Sequence, residues 1–268
     1  MRRLLLIGMS IVLGMAIAGC GAGKQGEAAP TATNAAGTQG GDMQGNRVVV
    51  SRSLDFMRVN EKPYAAFEGK DEIAAFSKAV KSADKMEGQL DVSFPDYDVV
   101  IDQGGKRKEI HLWLDAGSDH GMFTYVSDTG TGYTLTKEAT KALYELIWEV
   151  QYDSEQAKAN GDVVGEPTGE YANAEEWETF VSNVEGGKHD DVQVVQYTIE
   201  GGPIFYNLNF AGDTIRFRYD NTHDAFGVPD KRVDFCESIE KAGTERGTEY
   251  KLAGCGGETD GLFELVLP

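Results

Sequence analysis

A chain of 268 residues that is 41% hydrophobic and 26% charged has the composition of a globular protein, not of a wholly disordered one. It carries 44 acidic against 25 basic residues, a formal net charge of −19, and so repels nucleic acid and anionic surfaces unless positive charge is concentrated somewhere. The longest basic run, Lys106-Arg107-Lys108, follows Gly104-Gly105 and reads as a hairpin turn, which argues against a nucleic-acid partner.

The N-terminus reads as a processing signal. Met1-Arg2-Arg3 is a cationic head, and Leu4 to Ala18 is apolar apart from Ser10 and small residues. At about 15 residues this stretch is shorter than the ~20 that span a bilayer, and it fits the apolar core of a secretory signal. Ile17-Ala18-Gly19-Cys20 resembles the lipobox of bacterial lipoproteins. The resemblance implies cleavage after residue 19 and a diacylglycerol on the Cys20 thiol. The mature chain is then expected on the extracytoplasmic face of the cell membrane, with the membrane as partner through Cys20. Loss of Arg2 and Arg3 takes the 25 basic residues to 23 against 44, or −21. Acyl burial, at ~0.8 kcal/mol per methylene, would hold such a polyanion to a membrane where its charge could not. Residues 20–46 are mostly Gly, Ala, Thr, Gln and Asn with almost no large apolar side chain, which predicts a flexible tether spanning roughly 25–30 Å.

The remaining residues suffice for two domains, predicted at 47–151 and 152–268 with a joint near Tyr152–Asn160. In the first, Val48 to Ser51 reads as a strand. Ile73, Phe76 and Val80 share one helical face. Val99 to Ile101 and Ile110 to Leu114 flank Gln103-Gly104-Gly105-Lys106 as a hairpin. Met122 to Val126 and Tyr133 to Leu135 read as strands, and Thr136 as the N-cap of a helix through Val150. In the second, Asn173 with Glu176 suggests a capping box before a helix carrying Trp177, Phe180, Val181 and Val184. Six strands then follow, from Val192 to Leu267. The expected fold class is α+β: two small domains, each an antiparallel sheet with one or two packed helices.

Phe94-Pro95-Asp96-Tyr97, Leu112-Trp113-Leu114 and Tyr133-Thr134-Leu135 give residues 47–150 a resemblance to the YhfM-like domain of lipoproteins from spore-forming Gram-positive bacteria. Residues 152–268 are similar to an uncharacterised bacillus-type lipoprotein domain of unknown function. That similarity rests on Asn160 to Val164, Tyr197 to Gly201, Pro203-Ile204-Phe205, Asp220-Asn221, Asp224 to Gly227 and the two cysteines. The resemblances imply location and architecture, and neither implies an activity.

Cys236 and Cys255 are expected to form a disulfide in an exported domain, two free thiols being the alternative. In the predicted hairpin 204–219, a two-residue turn within Ala211-Gly212-Asp213 sets Asn207 and Asn209 on one face with Arg216 and Arg218. This face reads either as an anion site with arginine donors or as the solvated side of a half-buried hairpin. Asp220, Asn221 and Asp224 follow it with His223, and offer either a binding cluster or turn-forming side chains. No metal-ligand spacing, cofactor motif or catalytic nucleophile–base pair stands out; Ser118-Asp119-His120 reads as a turn. The expected function is a non-enzymatic binding or accessory module of the cell envelope, with an unknown envelope ligand or protein as partner. A cell-envelope hydrolase with a dispersed site is the alternative.

Overall fold

The computed structural model describes residues 45–115, 117–257, 259 and 261–268. The predicted signal segment, Cys20 and the tether up to residue 44 lie outside the described residues.

The first half runs β1 (Arg47–Arg52), β2 (Ala65–Phe67), α1 (Lys70–Ser82), β3 (Asp84–Lys85), β4 (Tyr97–Gln103), β5 (Lys106–Trp113), β6 (Met122–Tyr125), β7 (Asp128–Thr134) and α2 (Lys137–Trp148). Its strands form one sheet in the order β2-β1-β4-β5-β6-β7-β3, antiparallel throughout. Gly104 and Gly105, both at positive φ, close the β4–β5 hairpin as predicted, in the two-residue form whose twist matches the strands. Thr136 caps α2 by accepting from the Ala139 amide at 3.2 Å. Val48, Val50, Val99, Ile101, Ile110 and Leu112 point to the buried face, where they meet Ile73 and Phe76 of α1 and Leu143 and Ile147 of α2.

The second half begins with α3 (Ser154–Ala159), followed by β8 (Val163–Gly165), β9 (Tyr171–Ala172), α4 (Ala174–Glu185), β10 (Asp190–Tyr197), β11 (Pro203–Phe210), β12 (Ile215–Asp220), β13 (Lys231–Cys236), β14 (Ser238–Thr244), β15 (Gly247–Ala253) and β16 (Glu264–Leu267). The predicted joint is therefore not slack chain. Asp153 caps α3 by accepting from the Gln156 amide at 2.8 Å, and Gln156 and Ala157 are buried. The strands divide into two sheets, β13-β12-β11-β10-β8-β9 and β14-β15-β16; the β8–β10 pair is parallel and the rest are antiparallel. The architecture is α+β, with mostly antiparallel sheets and few helices.

The capping box expected at Asn173 does not form. Asn173 is left-handed, at φ 56°, and its amide donates to the Lys158 and Asp162 carbonyls at 2.9 and 2.8 Å. It ties the turn before α4 to the end of α3 and the start of β8, and Asn tolerates this backbone better than most residues. Cys236 at the end of β13 is disulfide-bonded to Cys255 beyond β15, joining the two sheets of the second half.

Two apolar cores result, and they do not coincide with the two halves. One lies between the six-stranded sheet, α4 and the three-stranded sheet, around the fully buried Trp177. The other is the core of the first half, extended by Val164, Val195, Tyr197 and Phe205 from the opposite face of the six-stranded sheet. That sheet is thus covered on both faces, and its outer layer on one side is the first half of the chain.

Candidate functional site

The pairing of β11 with β12 sets Asn207 opposite Arg218 and Asn209 opposite Arg216. This is the predicted register, although the strands separate after Phe210 and before Ile215 and leave a four-residue connection instead of a two-residue turn. The face that these residues share is neither open to a free anion nor solvated. It is the face turned to the first half.

Arg218, Arg216 and Asn207 on that face each bond protein partners. Arg218 is buried, and its guanidinium donates to the Pro95 and Asp96 carbonyls. Arg216 donates to the Leu54 carbonyl at 2.6 Å, and its guanidinium carbon lies 3.1 Å above the centre of the Phe94 ring. Burial and the neighbouring Arg218 charge lower Arg216 from its ordinary value. Asn207 donates at 2.8 Å to Gln193, which donates at 2.8 Å to Asp162, a buried carboxyl that also accepts from the Tyr152 hydroxyl. Burial raises the Asp162 carboxyl above its usual range. Asn209 is half-buried at the edge of the same face.

At the end of β12 stands the most buried charge pair of the seam. Arg52, 1% exposed, is hydrogen-bonded to Asp220, 3% exposed. Arg52 continues the inward row of Val48 and Val50, so strand parity drives its side chain into the core, and the second half supplies the counter-charge. Burial alone would lower Arg52 and raise Asp220, but their mutual attraction wins for both: Arg52 rises and Asp220 falls well below the carboxylate range. Thr222 adds a second bond to Asp220, from its hydroxyl at 2.6 Å.

Beside this pair His223 is wedged between the halves. Its ring nitrogens lie 3.3 Å from the Tyr64 hydroxyl and 3.4 Å from the Tyr97 hydroxyl, and its ring stacks on Trp148 at 4.8 Å. Burial and the Arg52 charge push the imidazole down to about 4, so it is neutral at pH 7. Asn221 and Asp224 serve their own loop. Asn221 bonds the Val228 carbonyl and the Asp230 amide, and Asp224 accepts from the Phe226 amide at 3.2 Å. Among the described residues no group of three or more metal-ligating side chains converges.

Two clefts open along the seam on either side of Lys231, which bonds Asp96 at 2.9 Å and the Leu114 carbonyl at 3.4 Å. One, about 250 Å³, is walled by Tyr144, Trp148, Asp115, His223 and Asp230. The other, about 390 Å³, is walled by Phe94, Trp113, Ser118, His120, Arg218 and Val233. Tyr144, Trp148 and His223 form a continuous aromatic stack beside the first cleft. Arg218 and Asp220 line these clefts; Asn207, Asn209, Arg216, Asn221 and Asp224 do not. The sequence reading missed Arg52, Trp148 and Lys231 as seam residues. Only Arg52 left a signal, a charge at an inward position of a strand. Ser118 and His120 form a turn, as expected, with the Ser118 hydroxyl donating to the His120 carbonyl at 2.9 Å. The buried His111 is paired with Asp98 through Nδ1 at 2.7 Å, and its Nε2–H donates to the Phe56 carbonyl at 3.1 Å, so its ring is held by structure on both sides.

Two family models match the chain. Residues 52–153 match the YhfM protein family, and residues 160–251 match a domain of unknown function, DUF4362. The chain thus joins a YhfM region to a DUF4362 region, with the short helix α3 between them. Neither description states an activity. No curated protein and no solved structure matches the chain. The seam described above is the contact between the two matched regions: Arg52, Tyr97 and Trp148 come from the YhfM region, and Arg218, Asp220 and His223 from the DUF4362 region.

Proposed function

We propose that the chain is a lipid-anchored, extracytoplasmic binding module of the cell envelope, and that its ligand occupies the seam between the YhfM and DUF4362 regions. The observation that carries the binding reading is the pair of clefts whose walls come from both regions. Sites at domain junctions combine apolar surface with a few fixed polar groups, and the Tyr144–Trp148–His223 stack beside Asp115 and Asp230 has that make-up. It suits a small ligand that lays a flat or apolar face on Trp148 and turns hydrogen-bond donors to the two carboxylates. The anchor reading is supported by the short apolar run that ends at Cys20.

Two measurements test the two parts. Cys20→Ala should abolish lipid labelling and move the chain out of the membrane fraction; unchanged labelling would remove the anchor. A thermal-shift screen of the full chain against envelope sugars, peptides and amines should find a stabilising ligand whose shift is lost in Trp148→Ala. A ligand whose shift persists in that variant places the site elsewhere.

A further inference from the structure

The sequence shows no concentrated positive charge, yet the fold assembles one. Lys78 and Lys81 lie three residues apart on α1. Lys106 and Lys108 lie on β5, opposite Gln103 and Ile101, on the sheet face that carries α1. The four flank two adjoining grooves of about 400 and 290 Å³ that share Ser77, Lys81 and Gln103. No carboxylate lines either groove, in a chain with 44 acidic residues. All four lysines are exposed, and among the described residues none of them forms an ion pair, whereas Arg107 between them is paired with Asp102 and Glu109 on the opposite sheet face.

The position of this patch identifies what it meets. The Asn46 side chain accepts from the Gly104 amide at 2.9 Å, so the chain coming from Cys20 joins the body at the same β4–β5 turn that bears Lys106. We propose that the four lysines dock the body on the anionic phospholipid headgroups of the membrane to which Cys20 ties it; this rests on the anchor reading above. At physiological salt, charges beyond ~8 Å are largely screened, so the local patch acts despite the net charge of the whole chain. The tether raises its effective concentration at the surface. Arg47 and Arg52 mark opposite ends of β1, roughly 17 Å apart, so a body docked by the lysine end turns the seam clefts away from the lipid.

The test uses the full chain mixed with vesicles of phosphatidylcholine alone, or with added phosphatidylglycerol. The rate at which each lysine reacts with a water-soluble acylating reagent is read by peptide mass spectrometry. Lys78, Lys81, Lys106 and Lys108 should slow by about fivefold or more only where phosphatidylglycerol is present, and recover in high salt, while Lys141 and Lys188 do not change. In Lys78→Gln/Lys106→Gln the slowing at Lys81 and Lys108 should disappear. Equal rates in the two vesicle types overturn the proposal. Equal slowing by inorganic phosphate alone also overturns it, since that marks a phosphate pocket and not a docking surface. Failure of the chain to float with phosphatidylcholine vesicles counts against the anchor alone, because the lysine rates are read in the same mixtures.

Discussion

Arg52 and Asp220, 168 positions apart, form a buried ion pair that crosses the seam between the two matched regions. Each is at the end of a strand, and each is driven inward by strand parity. Alone, either charge would sit desolvated in an apolar core, beside Phe205 on one side and Tyr97 on the other. The pair makes the separation of the two regions expensive, because separating them exposes shared core and strips a buried charge of its partner. The two regions are therefore expected to act as one cooperative body.

Asp220→Asn should cost about 3–5 kcal/mol, because it leaves the Arg52 guanidinium buried without a counter-charge. The double change Arg52→Met/Asp220→Asn should cost less than Asp220→Asn alone. Urea denaturation followed by tryptophan fluorescence measures both, since Trp148 and Trp177 report from different regions. Two separated transitions in the unchanged protein would contradict the single-body expectation.

Acid should weaken the seam through His223. Its folded value of about 4 lies below the ordinary 6.5, so the unfolded chain binds the proton first, and stability falls as the pH drops from about 6.5 towards 4. The half-buried ring sets this loss at on the order of 1–2 kcal/mol. Asp220 adds its own loss from the ordinary carboxylate range downward, because the unfolded carboxyl takes up its proton there while the folded one is held lower by Arg52. Asp162 and Asp191, raised by burial, act in the opposite direction. Urea midpoints at several pH values should show a shallower slope for His223→Gln than for the unchanged protein; equal slopes would exclude His223 as the source.

Reduction of Cys236–Cys255 should destabilise the folded body by about 3 kcal/mol, since the bond closes a loop of 19 positions. In a body of this size that is a fall in melting temperature on the order of 6–12 °C. Calorimetry with and without reductant checks it, and Cys236→Ala/Cys255→Ala should be insensitive to the reductant.

Asn173→Ala should cost about 2–3 kcal/mol. It removes two side-chain bonds to backbone carbonyls and leaves at a left-handed position a residue without the short polar side chain that lets asparagine tolerate it. Asn173→Gly should cost less, because glycine keeps the backbone and loses only the bonds. Chemical denaturation of the two variants ranks them, and the reverse order would mean that the backbone conformation carries no cost.

Much of the architecture is legible because it is local. Alternation identifies β1, β4, β5, β10, β11 and β12; Gly104-Gly105 identifies the hairpin; Thr136 identifies the start of α2. Short pieces were not legible. β2, β3, β8 and β9 have two or three residues each, too few for a period to show, and α3 has six. Asn173 carries a capping-box spelling, but a left-handed backbone and two distant carbonyls take its side chain elsewhere.

The candidate site divides along the same line. Sequence alone determined the register that puts Asn207 and Asn209 beside Arg216 and Arg218, because a slip by one residue would set leucine opposite arginine. It also singled out Cys236 and Cys255 as the expected pair, with two free thiols as the alternative, and the structure shows the bond. Only the tertiary structure decided what lies against that polar face. A strand shows which side chains share a side, not whether water, a ligand or another layer of protein covers it. Here the covering layer is the YhfM region, more than a hundred residues away in the chain, and the four lysines of α1 and β5 become a patch for the same reason.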